Sequence, residues 1–272
     1  MLVVNIKLWF SHGKEVVIIF LMTKRRHSPV KIEATEPHLC TVSARLDILA
    51  HLPFFEGLAG TDLAKINEMF HQKDYSDGDV IVLAGDPAEH LYVIAEGRVK
   101  LLHHSLAGKQ ILLDLLTPGE FFGALAGFGG EVYAETAQAM APSCILVIDR
   151  ETFRQVISWH PQTAMKVIDI MAARLQAANE RVQLLSTMPV EARIADLLVK
   201  LARKFGETKG VGLLLQVPLS REDLAGMAGT TPESASRVIS QFTKDGWIRS
   251  GRGWIALTDL DALQSIADSE GM

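Results

Sequence analysis

Cysteine is nearly absent from this chain: Cys40 and Cys144 are the only two in 272 residues. Two thiols far apart in sequence make no disulfide framework, and they cannot supply the four thiolates of a zinc or iron–sulfur site within one chain. A reducing, cytoplasmic setting is expected, with no iron–sulfur cluster. Long hydrophobic runs are missing too. The leader stretch Val16-Val17-Ile18-Ile19-Phe20-Leu21-Met22 falls well short of the roughly 20 apolar residues of a membrane span. Lys24-Arg25-Arg26 follows it in place of a small-residue cleavage site, which argues against a signal peptide. No membrane partner is expected. Residues 1–45 are read as a leader, either disordered or an over-extended start with the working protein beginning near Met22. The second reading is favoured, and residues 1–22 are expected to be dispensable.

Positive charge is scarce as well, with a formal net charge of −5, and its distribution matters more than its sum. Residues 41–160 carry 8 Lys and Arg against 16 Asp and Glu, whereas residues 188–258 carry 10 against 7. The last fourteen residues add four acids and no base. Phosphate contacts, if the chain makes them, belong in the C-terminal part. At this length two domains, each with its own core, are expected.

From Leu46 to Phe70 the pattern is helical, interrupted by Leu-Pro-Phe-Phe at 52–55, with Thr61 expected as a cap and Asp62 beside the positive helix end. From Tyr75 short apolar runs at 80–83, 91–94, 99–102, 111–116 and 144–148 alternate with turns such as Asp77-Gly78-Asp79, Gly85-Asp86-Pro87, Ala107-Gly108-Lys109 and Pro118-Gly119. Evenly spaced short strands predict a β-barrel or jelly roll; an unspecified β-sandwich fits the spacing equally. After Asp149 helical periodicity returns. Ala164, Ile168, Met171, Leu175, Ala178, Val182 and Leu185 recur at alternating steps of 4 and 3, the seam of a helix that pairs with its own copy. A helix packed on its own barrel would show a wider stripe. The boundaries that follow are a β-roll over 46–159, a dimerisation helix over 160–187, a DNA-binding domain over 188–262 and a tail over 263–272.

Met188-Pro189 ends the long helix. An amphipathic helix over 190–205, a loop over Gly206–Gly212 and a short strand over 213–217 are expected next. Ser220-Arg221-Glu222-Asp223 is a capping-box-like start for a short helix that breaks at Gly229. Thr231-Pro232 then restarts a helix, with Thr as N-cap and Pro at the first helical position. Two short helices across a glycine turn form a helix-turn-helix. On the second helix Ala235, Val238, Ile239 and Phe242 share a buried side, while Glu233, Ser236, Arg237 and Ser240 share the other. Arg donates two bonds to guanine, Glu accepts from cytosine, and Ser bonds bases or meets a thymine methyl. Thr230, Thr231 and Ser234 suit phosphate at the helix start. Lys244, at the far end, is expected to meet phosphate alone. Residues 247–257 read as a β-hairpin wing containing Trp247, Arg249, Arg252 and Trp254.

Residues from about 46 to 260 resemble the CRP/FNR superfamily of transcription regulators. The run from Tyr75-Ser-Asp-Gly78-Asp79 through Gly85-Asp86-Pro87 and Leu91-Tyr92 to Gly97-Arg98-Val-Lys100 is similar to the cyclic-nucleotide-binding β-roll. Glu233-Ser-Ala-Ser236-Arg237 resembles the recognition helix of the FNR-like branch, where the catabolite-activator branch has an Arg at the position of Pro232. The resemblance implies an α+β fold: a β-roll sensor, a dimerisation helix and a winged helix-turn-helix. It further implies a homodimer on an FNR-like TTGAT inverted repeat, with RNA polymerase as a partner.

The same resemblance shows what the sensor lacks. The family's nucleotide cassette has a Glu for the ribose and an Arg for the cyclic phosphate. Here Gly119-Glu-Phe-Phe-Gly123-Ala124-Leu125 puts Ala124 at the Glu position, and Tyr133 or Ala134 falls at the Arg position. No arginine occurs between Arg98 and Arg150. A buried phosphate without its cationic fork loses its strongest partner, so cyclic AMP is not the expected effector; a cyclic-nucleotide-responsive regulator with a non-standard cassette is the alternative reading. The stretch from Tyr133 to Ser143 looks similar to the haem-associated, nitric-oxide-responsive regulators, which makes haem a candidate cofactor with His103 and His104 as candidate ligands. An apolar small molecule held by Phe121, Phe122, Gly123, Ala124, Leu125, Phe128 and Tyr133 is the other candidate. No enzyme is expected: the adjacent His103-His104 pair cannot reproduce a cupin's His-x-His on one strand face.

Overall fold

The computed structural model describes residues 40–104, 110–125, 131–209, 212–217, 219–251 and 253–269. The leader reading, the 107–109 turn, Phe128 and Arg252 lie outside the described residues. Thr41 caps α1 (Val42–Ala50) by accepting from the Ala44 N–H at 3.2 Å, so the helix starts four residues earlier than the periodicity suggests. The helix α2 (Gly60–Met69) starts after Ala59 with no side-chain cap. Thr61 therefore lies inside the first turn and is not its cap.

Eight strands follow: β1 (His71–Tyr75), β2 (Val80–Val82), β3 (His90–Glu96), β4 (Val99–His104), β5 (Gln110–Leu116), β6 (Phe121–Gly123), β7 (Thr136–Ala139) and β8 (Ser143–Asp149). They form two four-stranded sheets, ordered β1-β8-β3-β6 and β2-β7-β4-β5, and every pairing between these strands is antiparallel. Both are layers of the β-roll. Successive side chains of a strand point to opposite faces, and the first sheet uses both. Tyr92, Ile94, Phe122, Ile145 and Val147 fill the roll interior. Their neighbours Leu91, Val93, Phe121, Leu146 and Ile148 pack against the helices with Phe54, Phe55 and Phe153. Burial on both faces explains the unbroken apolar runs of β3 and β8. The fold also places Cys40 beside Cys144, and burial with this neighbour raises the Cys144 pKa.

Asp149 caps α3 (Arg150–Trp159) through the Thr152 N–H at 2.8 Å. Pro161 opens the 27-residue α4 (Pro161–Thr187), which ends before Met188-Pro189. Of the expected seam, Ile168, Leu175 and Val182 stand 55%, 65% and 63% exposed on the single chain. Leu185 is 43% exposed and also lies against the turn at Gly229, while Met171 is half-buried against the core between the β-roll and its helices.

The helix α5 (Val190–Phe205) runs directly into β9 (Gly206–Lys209), paired with β10 (Gly212–Leu215). The loop expected over 206–212 is in part a strand. Its polar residues hide it, because the apolar partner is Leu213 to Leu215 across the ladder. The helices α6 (Arg221–Met227) and α7 (Pro232–Lys244), the strands β11 (Ile248–Gly251) and β12 (Trp254–Leu257), and α8 (Leu260–Ala267) complete the domain. Its sheet order is β11-β12-β10-β9. The core of this domain, including Leu198, Leu224, Ile239, Phe242 and Leu263, also takes in Leu102, Leu112 and Leu115 from β4 and β5. Among the described residues, no helix is long and apolar enough to cross a membrane.

Candidate DNA-reading helix and effector pocket

The helix-turn-helix is built by local chemistry. Ser220 accepts from the Asp223 N–H at 3.0 Å while the Asp223 carboxylate accepts from the Ser220 N–H at 2.8 Å, a complete capping box on α6. Asp serves in place of the longer Glu or Gln of the usual motif. The chain then turns at Gly229, whose φ of +61° suits a residue without a Cβ. Thr231 caps α7 by accepting from the Ser234 N–H at 3.2 Å, and Pro232 takes the first helical position.

On α7, Ala235, Ile239 and Phe242 are buried and Val238 is half-buried against the same core. Glu233, Arg237 and Ser240 are exposed and Ser236 is half-exposed. Ser240 spends its hydroxyl on the Ser236 carbonyl at 2.8 Å. Thr230, Thr231 and Ser234 sit together at the N-terminal end, where the Thr231 hydroxyl also donates to Ser234 Oγ at 3.2 Å. The β11–β12 hairpin stands beyond α7, with Trp247 packed on Phe242 at 5.4 Å between ring centroids. An exposed, polar N-terminal face on a helix anchored by apolar residues suits insertion into a major groove.

Two arginines outside this face anchor the turn. Arg181 of α4 donates to the Met227 carbonyl at 2.9 Å, and Arg193 of α5 donates to the Gly229 carbonyl at 3.1 Å. These are orphan carbonyls at the end of α6, where cations are favoured. Sequence reading missed both residues. Their one visible signal is that Arg181 lies seven residues after Arg174 on the same face of α4.

In the β-roll, Phe122, Gly123, Ala124, Leu125 and Tyr133 line a cavity of about 180 Å³ together with Val82, Met171, Arg150 and Arg174. Phe121 does not line it: the strand alternation turns its ring into the helical core, 5.0 Å from Phe54. Tyr133 is buried, with its hydroxyl donating to the His90 carbonyl at 3.3 Å and accepting from the His90 N–H at 3.0 Å. Gly123, at φ +92°, lets the strand pass against the same carbonyl. Two arginines from outside the cassette, Arg150 and Arg174, line the cavity. Arg174 lies over the Phe121 ring at 4.6 Å and donates to the Phe121 carbonyl at 3.3 Å. Burial lowers its pKa, opposed by the nearby carboxylates of Glu135, Asp114 and Glu120. Glu120 itself faces away, paired with Lys204 of α5 at 2.7 Å.

The residues present do not fit haem. His103 and His104 are both exposed at the end of β4, and His104 shares its ring nitrogens with Gln110 at 3.0 Å and Thr136 at 3.5 Å. Neither lines the cavity, and among the described residues no histidine does. A cavity little larger than the roughly 150 Å³ that accommodates benzene leaves no room for the macrocycle. Among the described residues, no group of three or more His, Cys, Asp and Glu side chains could hold a metal ion.

A β-roll with an internal cavity, joined through a long helix to a winged helix-turn-helix, is the architecture of a two-domain DNA-binding protein. Residues 72–160 match the cyclic nucleotide-binding domain, and residues 192–266 match the Crp-like helix-turn-helix domain. The cyclic AMP receptor protein of Thermus thermophilus is 32% identical over 215 residues, spanning 79% of this chain and 96% of that protein. The CRP-like cAMP-activated global transcriptional regulator of Mycobacterium tuberculosis is 26% identical over 217 residues, spanning 80% of this chain and 97% of that protein. Among solved structures, a CRP/FNR-family transcriptional regulator from Thermus thermophilus superposes with a TM-score of 0.63 at 27% identity, over 74% of this chain and 100% of its own. The chain belongs to the CRP/FNR family of DNA-binding transcription regulators. It is a regulator and not an enzyme.

Proposed function

We propose that this regulator works in the cytoplasm as a homodimer, reads an FNR-like TTGAT inverted repeat through α7, and answers to a small effector other than cyclic AMP. The reading rests on one observation above all: Glu233 and Arg237 are exposed near the N-terminus of a helix whose opposite side is locked into the core. Pro232 favours the FNR-like half-site. Thr230, Thr231 and Ser234 are the backbone-positioning group, with Ser236 and Ser240 alongside. The exposed Ile168, Leu175 and Val182 support pairing of α4 with its copy, and with Ala164 and Ala178 they keep the seam. RNA polymerase is the protein partner the family implies.

The relatives named above for cyclic AMP do not carry that effector over. Ala124 and the backbone-bonded Tyr133 stand where the family places its ribose and phosphate partners, and a cavity of about 180 Å³ is small for a nucleotide. Competition binding with singly substituted palindromes tests the DNA reading. Arg237→Ala is expected to flatten discrimination at the guanine of the half-site, by roughly 1–3 kcal/mol. Lys244→Ala is expected to weaken all sequences alike. If Arg237→Ala also weakens every sequence equally, Arg237 is a phosphate contact and the reading face is wrongly placed.

A further inference from the structure

A second cavity, outside the β-roll, lies where α4, α5, α6 and β5 meet. Its volume is about 410 Å³, within the range of small-molecule sites. Ala177, Leu184, Leu197, Leu201 and Met227 provide the apolar wall, and Arg181, Arg193, Lys200 and Lys204 bring four cations to it. Three acids also line it, and all are engaged: Asp196 with Lys200 at 2.8 Å, Asp114 with Lys204 at 3.9 Å, and Glu180 with Gln176 at 2.9 Å.

The two arginines differ from the lysines. Among the described residues neither guanidinium is in an ion pair; each bonds one backbone carbonyl, Met227 for Arg181 and Gly229 for Arg193. Arg193 Nε is buried and has no hydrogen-bond partner. A buried donor left unmade costs its full desolvation, more so on a charged group, and a planar guanidinium fork matches a carboxylate in two bonds. The two carbonyls are two residues apart, so both forks converge on one end of an apolar cavity. On α4, Ala177, Arg181 and Leu184 form a stripe turned about 100° from the seam residues that precede or follow them; of the expected seam only Leu185, at its C-terminal end, also lines the cavity, and Ile168, Leu175 and Val182 do not.

We propose that this interdomain cavity binds an amphipathic monocarboxylate, its carboxylate on Arg193 and Arg181 and its apolar body against Leu184, Leu197 and Leu201. A cavity of roughly 150 Å³ holds one benzene, so 410 Å³ corresponds to about 12–16 heavy atoms. The anion takes up the arginine donors that now hold the Met227 and Gly229 carbonyls. Binding therefore loosens the turn of the helix-turn-helix, and the site is a second input to DNA binding, separate from the β-roll.

Calorimetric titration of the full chain with 2-naphthoate and decanoate, each beside its neutral amide, tests this. The carboxylates are expected to bind at least tenfold tighter than their amides. Arg193→Met is expected to remove about tenfold of that difference, and Ala177→Phe, which fills the cavity and keeps every charge, to abolish binding. Operator affinity should change on adding carboxylate to the parent chain and stay constant in Ala177→Phe. Carboxylates that bind no better than amides, or that still bind the filled variant, overturn the proposal. Operator binding measured without any probe separately tests the DNA-reading assignment, so the two can fail independently.

Discussion

Replacing Gly229 with alanine tests how the turn of the helix-turn-helix is held. At φ +61° an L-residue pays about 1–2 kcal/mol for the left-handed conformation. The new Cβ would also fall inside contact distance of Leu185 Cδ2 and 3.3 Å from Arg193 Nη1. Moving a packed leucine tip aside costs about 1–3 kcal/mol, and the reduced freedom of the unfolded chain returns about 0.5 kcal/mol. The expected loss is about 2–4 kcal/mol. Urea unfolding followed by tryptophan fluorescence reads it, because Trp247 packs on Phe242 in this domain. Two companions separate the terms. Gly229→Asn tolerates the backbone better but keeps the Cβ contact, whereas Leu185→Ala removes the contact and leaves the backbone strain. Gly229→Ala should therefore cost about 1–3 kcal/mol less in the Leu185→Ala background than in the parent. A change of less than about 0.5 kcal/mol in the parent, or no relief from Leu185→Ala, would refute the packing of α4 on this turn.

Other expectations follow from single features. Leu175→Glu puts like charges into the α4 seam, where pairing would desolvate them; sedimentation should show monomer, and a persisting dimer would place the interface elsewhere. Ser220→Ala breaks the capping box and should cost about 1 kcal/mol in unfolding free energy, whereas an unchanged midpoint would mean the cap contributes nothing. Burial and Cys40 raise the Cys144 thiol pKa. The folded state therefore holds that proton more tightly than the unfolded chain, whose thiol titrates near about 8.5. The resulting stabilisation is complete below that pH and is lost as pH rises above it. Native Cys144 should resist iodoacetamide at pH 8 by mass spectrometry; alkylation as fast as in urea would contradict its burial.

The periodicity of α4, the turn at Gly229 and the caps at Ser220 and Thr231 are visible in sequence because each depends on residues close along the chain. The β1 strand, all polar over His71–Asp74, is not visible: it is an exposed edge whose partner β8 lies some seventy positions away. The β7 strand hides for another reason, since Ala137 and Ala139 are small where the sheet interior leaves little room. The exposed polar face of α7, opposite Ala235, Ile239 and Phe242, follows from spacing alone. Arg174, Arg181 and Arg193 could not be assigned that way, since their partners are backbone carbonyls brought near only by the packing of α4 and α5.

Leu102, Leu112 and Leu115 belong by chain position to the sensor, yet their side chains lie in one core with Leu224, Ile239 and Phe242. A genetic screen for alleles that lose operator binding would then recover lesions on the outer side of β4 and β5, far in sequence from any residue that touches DNA. Truncating Leu115 leaves a hole beneath the helix-turn-helix as surely as truncating Ile239 does. Such alleles would behave as DNA-binding defects in every assay of effector response, and second-site revertants should arise on the opposite side of the same core, at Leu198 or Leu224.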